Sequence, residues 1–204
     1  MVRVVKADAD GLVLAAKLIA EGGIISYPTD TVYGLGCDPF SQHALERVMN
    51  AKGDRSKPMP ILVKTLQDGR RIAEFPEKAA KVAARFWPGP LTMVLRAKAS
   101  VPKALVPSGT IGVRSPKHDT CLNLIGLCSG YLVGTSANQT GKAPATTAEE
   151  VVAGLGDKID LVLDGGRAPL GVASTVVDLS SNMTVIREGP ISRVALLNCL
   201  RSDK

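Results

Sequence analysis

Short apolar runs in this chain end repeatedly in polar, glycine-bearing segments, and this feature most narrows what it can fold into. The segments are PTDTVYG (28–34), TSANQTG (135–141), GVAST (171–175) and REGP (187–190). Each alone has the composition of an ordinary turn. Together they point to a layered α/β architecture, in which the carboxyl ends of strands open on one crevice and loops supply ligand groups without disturbing the core.

The rest of the chain supports that reading. MVRVVK, IISY, MPILV, PLTMVLRA, GTIGVRSP, YLVGTSAN, IDLVLDGG, STVVDLS and MTVIREG read as strands. A helix is predicted after Asp8 or Asp10 as cap, with Leu12, Ala15, Ala16 and Ile19 at helical spacing. A second spans SQHALERVMNAKG, with Ala44, Leu45, Val48 and Met49 inward and a stop near Gly53. PEKAAKVAARFW and ISRVALLNCL add two more, CLNLIGLCSG is a helix or an apolar turn, and Thr147 with Glu150 forms a capping box. Helices alternate with strands early and strands follow one another late. The expected fold class is α/β (α+β in some schemes): a mixed sheet layered with helices, in one domain over residues 1–204.

Aromatic residues make up only 3% of the 204 residues against 45% apolar overall, so the core must be built from Val, Leu, Ile and Ala. The formal charge of +6 suits anionic partners such as nucleotides or RNA, although no run of lysine and arginine exceeds two residues. The four cysteines form no CxxC pair and no ligand set with the two histidines, which argues against zinc and for free thiols in a reducing compartment. The amino terminus lacks an apolar signal region and no run suits a membrane span, so an intracellular, cytoplasmic protein is expected.

No GxxxxGK[ST] or GxGxxG motif is present; GLGDK at 154–158 has the wrong spacing. A nucleotide would therefore be held by hydroxyls, backbone N–H groups and scattered cations. Lys52, Arg55 and Lys57 follow a helix, where they either neutralise a polyphosphate or simply suit the helix dipole. Arg114 ends the apolar run IGV and has the fork to grip a carboxylate, the plainer reading being a surface arginine; Arg187 raises the same pair of readings. His43 reads as a helix surface residue, and Ser136 and Ser174 lack a GxSxG elbow and look better as donors to an anion.

Seven stretches carry a wider resemblance: PTDTVYGLG (28–36), AKGDRSKPMPILV (51–63), FWPGPLTMVL (86–95), GTIGVRSP (109–116), VGTSANQTGKAP (133–144), STVVDLS (174–180) and VIREGPIS (185–192). In content and order they resemble the YrdC/Sua5 group of threonylcarbamoyl-AMP synthases. The resemblance implies a YrdC-like twisted mixed sheet with helices on both faces around a deep basic cavity. It implies a nucleotidyltransferase that makes threonylcarbamoyl-adenylate and pyrophosphate from L-threonine, bicarbonate and ATP, with Mg²⁺ held mainly by the nucleotide. The product would pass to a partner threonylcarbamoyl transferase complex that modifies adenosine 37 of tRNA, with tRNA contact a further possibility.

Carried over by position, Thr31 and Tyr33 fall where the threonine pocket begins, and Arg114 matches the clamp for its carboxylate. Lys52 and Arg55 match the phosphate-handling pair. Thr135, Ser136 and Asn138 match the nucleotide loop, joined by Ser174 and Arg187; no metal-ligating side chain is implied. Asp30 is expected to orient its loop or a cation. The chain departs from the family in two places: Arg55 stands three residues after Lys52 rather than two, and the strand ILV is followed by Lys64 where some members place a histidine. Two other activities of the same fold stay open at this point, an RNA-binding module and a carbamoyl-transfer enzyme of the kind found in hydrogenase maturation. The latter has cysteine pairs that this chain lacks.

Overall fold

The computed structural model describes residues 2–54 and 58–201. The first half contains β1 (Arg3–Lys6), α1 (Ala9–Ala20), β2 (Ile25–Tyr27), β3 (Gly34–Gly36), α2 (Gln42–Lys52), β4 (Ile61–Val63), α3 (Leu66–Ile72), α4 (Glu77–Phe86) and β5 (Leu91–Arg96). The second half contains β6 (Thr110–Arg114), α5 (Asp119–Leu127), β7 (Tyr131–Val133), β8 (Thr135–Ser136), α6 (Ala148–Leu155), β9 (Leu161–Asp164), β10 (Thr175–Asp178), β11 (Thr184–Arg187) and α7 (Arg193–Arg201).

Local chemistry accounts for most of these elements. Asp8 caps α1 by accepting the Gly11 N–H, and Ser41 caps α2 by accepting that of Ala44. The α2 helix stops at Gly53, whose φ of 71° suits a residue without a Cβ. The apolar segment 119–127 is a helix rather than a turn. Helix α3 was not expected; Thr65 and Asp68 cap it reciprocally, a box that short length and an interior glycine concealed. The box expected at Thr147 is only half present. The Thr147 hydroxyl accepts the Glu150 N–H, but the Glu150 carboxylate takes the N–H and hydroxyl of Thr146, one residue earlier.

The mixed pairing expected from the sequence is carried by two sheets, ordered β1-β9-β2-β3-β8 and β11-β10-β5-β6-β4-β7. The chain passes from one to the other between β7 and β8, at Gly134, where an added Cβ would lie 2.4 Å from Leu62 Cγ. The sheets are held together there: Tyr27 donates its hydroxyl to the Val133 carbonyl at 2.6 Å, and the Val133 N–H donates to the Cys37 carbonyl at 3.0 Å. This close approach explains β3, a strand of sequence GLG that reads as a loop. A Cβ on Gly34 would meet the Tyr27 ring at 2.6 Å, and one on Gly36 would meet the Val133 carbonyl oxygen at 1.9 Å. These glycines serve strand packing, not turning.

Alternation decides which face is which. In β5, Leu91, Met93 and Leu95 are fully buried in the core, and in β6 Ile111 and Val113 do the same. The intervening residues Thr92, Val94, Thr110, Gly112 and Arg114 are thereby turned to the opposite face. In the other sheet, Leu161 and Leu163 of β9 pack with Ile25 and Tyr27 in one cluster with residues of α1 and α5, while Val162 joins the main core with Val151 and Leu155 of α6. Among the described residues, no helix is long and apolar enough to cross a membrane.

Candidate functional site

The face of the second sheet turned away from the core roofs a cavity of about 450 Å³, lined by Val94, Thr110, Gly112 and Val176 from its strands. Its other walls come from Lys52 at the end of α2, the segment from Thr135 to Pro144, and Ile186 and Arg187 of β11. A smaller cavity of about 50 Å³ is lined by Tyr27, Thr29, Thr31, Tyr33, Leu62, Arg114 and Ser174. Thr135, Ser136 and Ala173 line both, so the small cavity is the inner end of the larger one.

Every site residue selected from the sequence that lies in the described part of the chain lines this two-part cavity: Thr31, Tyr33, Arg114 and Ser174 the inner end, Lys52, Asn138 and Arg187 the outer, Thr135 and Ser136 both. Arg55 and Lys57 lie outside the described residues.

At the inner end the hydroxyls of Thr29, Thr31 and Tyr33 are hydrogen-bonded within the protein. Thr29 donates its proton to the Val32 carbonyl at 2.6 Å. In the 3.0 Å contact between the hydroxyls of Thr29 and Thr31, Thr31 must therefore be the donor. Its remaining lone pairs face the guanidinium of Arg114, whose Nη1 donates to Thr31 Oγ1 at 2.9 Å. Tyr33 donates to the Gly166 carbonyl at 2.7 Å and accepts the Gly165 N–H at 3.2 Å. Burial, opposed in part by that N–H, raises its pKa to about 12, so the phenol stays neutral.

Arg114 is at the carboxyl end of β6, which pairs with β5 on one side and β4 on the other. It therefore sits in the interior of its sheet and is buried, unlike the surface arginine of the plainer reading. Its Nε donates to the Gly89 carbonyl at 3.1 Å, from the PGP turn before β5, and its Nη2 pairs with Asp30.

Tyr33 is also the hinge-pin of the nucleotide-loop candidate. Its backbone N–H donates to the Ala145 carbonyl and its carbonyl accepts the Ala137 N–H, both at 2.8 Å, so both ends of segment 137–145 are tied to it. Within that segment, the Asn138 amide donates to the carbonyls of Lys142 at 2.6 Å and Gln139 at 2.9 Å. The Lys52 ammonium donates to the carbonyls of Ser136 at 2.7 Å and Asn138 at 2.9 Å. Arg187 spans the other wall, donating from Nε and Nη2 to the Ser174 carbonyl at 3.0 and 2.9 Å. Desolvation and the charge of Arg114 both lower the pKa of Arg187, so two guanidinium groups bear on the same cavity.

Sequence reasoning missed Thr92, whose hydroxyl lies 2.9 Å from that of Ser174, and Lys142 and Ile186 on the outer wall. The alternation of β5 carried the signal for Thr92. Burial, reinforced by Asp38, raises the Cys37 and Cys128 thiols to about 12, so neither is poised as a nucleophile.

The Sua5_yciO_yrdC family model, described as telomere recombination, matches residues 17–189. The chain belongs to this family. It is 39% identical over 170 residues to a threonylcarbamoyl-AMP synthase of Pyrococcus abyssi, covering 82% of this chain and 50% of the relative. A putative threonylcarbamoyl-AMP synthase of Mycobacterium tuberculosis is 33% identical, covering 95% of this chain and 90% of the relative. This chain thus spans half the length of the Pyrococcus relative and nearly all of the mycobacterial one. Among solved structures, P. abyssi Sua5 complexed with L-threonine superposes with a TM-score of 0.91 at 34% identity, over 99% of this chain and 61% of that one. E. coli YciO gives 0.84 at 26% identity, over 93% and 96%. HypF, at 18% identity and a TM-score of 0.77, shares the fold. All the residues that line the two-part cavity lie inside the family match.

Proposed function

We propose that this Sua5/YrdC-family protein is an L-threonylcarbamoyladenylate synthase, using L-threonine, bicarbonate and ATP. The observation that carries the reading is the two-part cavity: a small inner end with a buried guanidinium, opening into an outer chamber with cations on two walls. A solved family member of the same fold is described as a complex with L-threonine.

On this reading the threonine carboxylate meets Arg114, and Tyr27, Val32 and Leu62 bound the space for its methyl group. The threonine amine attacks bicarbonate, forming the N–C bond of a carbamate with loss of water. A carbamate oxygen then attacks the ATP α-phosphorus, the bond to the bridging oxygen breaks, and pyrophosphate leaves. Such a route needs held partners and screened charge more than a dedicated nucleophile. Lys52, Arg55 and Arg187 supply the charge, and Ser136, Thr135 and Ser174 supply hydroxyls. Asn138 shapes the loop between them.

Among the described residues no three His, Cys, Asp or Glu side chains gather as a metal cluster, but the Asp54 carboxylate and nearby hydroxyls line the outer chamber. That donor set fits a Mg²⁺ ion carried by the triphosphate, which when bound would neutralise phosphate oxygens. On this reading the adenylate would pass to a transferase acting on tRNA, and the compartment proposed is the cytoplasm.

The test is incubation with ATP, Mg²⁺, bicarbonate and each amino acid in turn, with the adenylate read by mass and pyrophosphate by release. Threonine should exceed serine, since one methyl group is worth about 1–3 kcal/mol in an apolar pocket. Equal efficiency for the two, or release that needs neither threonine nor bicarbonate, overturns the reading.

A further inference from the structure

We infer that Asp30 is a positioning residue that sets the orientation of the Arg114 guanidinium at the inner end of the cavity. The inference rests on the reading of that end as the amino-acid carboxylate site.

Asp30 and Arg114 are 4% and 6% exposed, and form an ion pair through Asp30 Oδ1 and Arg114 Nη2. A cation buried this deeply without a counter-charge would be strongly disfavoured. Asp30 supplies the counter-charge from behind: Arg114 lines the inner cavity, whereas Asp30 does not.

The remaining contacts show what the pair fixes. Every group bonded to the guanidinium is an acceptor: Asp30 Oδ1, Thr31 Oγ1 and the Gly89 carbonyl. Thr31 presents lone pairs there because its own proton goes to Thr29, whose proton goes to Val32. Of the five N–H bonds of a guanidinium, three are thus engaged, one on each nitrogen. The two left over, one on each terminal nitrogen, match the fork that takes a carboxylate.

Asp30 itself is held by its backbone, since its carbonyl accepts the Leu170 N–H at 3.2 Å. Its second oxygen, Oδ2, is buried without a hydrogen-bond partner. The carboxylate is therefore not placed to satisfy itself; its engaged oxygen serves Arg114 alone. Without it, Thr31 and Gly89 would still accept two N–H bonds, but Nη2 would lose its only protein partner among the described residues, and the guanidinium would rest on two bonds to neutral acceptors instead of three with a counter-charge.

The test compares wild type, Asp30→Asn, Arg114→Gln and the double variant. Threonine affinity is read by calorimetry, KM for threonine and ATP by turnover, and the Arg114 Nε–H by its amide-exchange rate in NMR. Asp30→Asn should weaken threonine at least tenfold, leave the KM for ATP within threefold and speed exchange of the Arg114 Nε–H. It should add no further loss of threonine affinity in the Arg114→Gln background. Unchanged threonine affinity, or a loss that adds fully to that of Arg114→Gln, overturns the inference. If the wild type binds no threonine, the functional reading fails, and the exchange rate alone decides: faster exchange in Asp30→Asn upholds the positioning role, an unchanged rate ends it. Should Asp30→Asn not fold, Asp30→Glu keeps the charge while displacing it, and the same readouts apply with the same outcomes.

Discussion

The Nζ of Lys52 lies 2.7 Å from the carbonyl oxygen of Ser136, a residue 84 positions away. A second bond, to the Asn138 carbonyl, makes this lysine a clasp on the loop as well as a positive charge on the cavity wall. Both functions leave with the ammonium in Lys52→Met, which keeps most of the stem. A hydrogen bond to a charged group contributes about 1.5–3 kcal/mol, so both melting temperature and ATP affinity should fall. Differential scanning calorimetry and ATP titration check this. A normal ATP affinity in a destabilised variant would reduce Lys52 to a clasp.

Ser136 and Asn138 should separate these two effects. The Asn138 amide bridges two loop carbonyls, so Asn138→Ala should lower both intrinsic stability and ATP affinity. Ser136 lines both cavities, and Ser136→Ala should lower ATP affinity by about 0.5–1.5 kcal/mol, the net worth of one neutral hydrogen bond, with little change in melting temperature. Equal melting losses with normal ATP binding in both would make the segment a polar turn only.

Tyr33→Phe removes the hydroxyl that ties the inner loop to Gly165 and Gly166. Leaving those backbone groups without that partner costs about 1–3 kcal/mol. Hydrogen exchange should speed up at Gly165, Gly166 and Leu170 while segment 137–145, tied to the Tyr33 backbone, stays protected. Unchanged exchange at Gly165 would show that the segment at Gly165 and Gly166 holds itself.

The acid limb of stability should depend on Asp160. Burial favours its neutral form, but Arg47 at 2.9 Å and the Ile24 N–H at 2.8 Å favour the carboxylate more, so its pKa is lowered. The stabilisation is present above the unfolded-state pKa of an aspartate and disappears as pH falls through the lower folded value. Asp160→Asn should therefore reduce stability at neutral pH and flatten its decline between neutral and acid solution. Parallel stability curves for variant and wild type would count against the pair.

Much of the fold was legible in short stretches of sequence because the forces that set it act over a few residues. Asp8 and Ser41 reach N–H groups three positions on, Gly53 ends α2 through its own backbone, and β5 reveals its two faces by strict alternation. The cavity residues were legible as a set of polar loops and ordered motifs. Their partners were not. Arg114 meets Asp30 across 84 residues, and Thr92 meets Ser174 across 82. Which hydroxyl donates and which guanidinium N–H is left over depends on every acceptor that folding brings into one buried space. The division into two sheets, and the use of Gly34, Gly36 and Gly134 as packing rather than turning residues, likewise arise only when distant backbones approach closely enough to exclude a Cβ. Local propensity acts before the chain returns on itself; the satisfaction of buried polar groups is settled only afterwards.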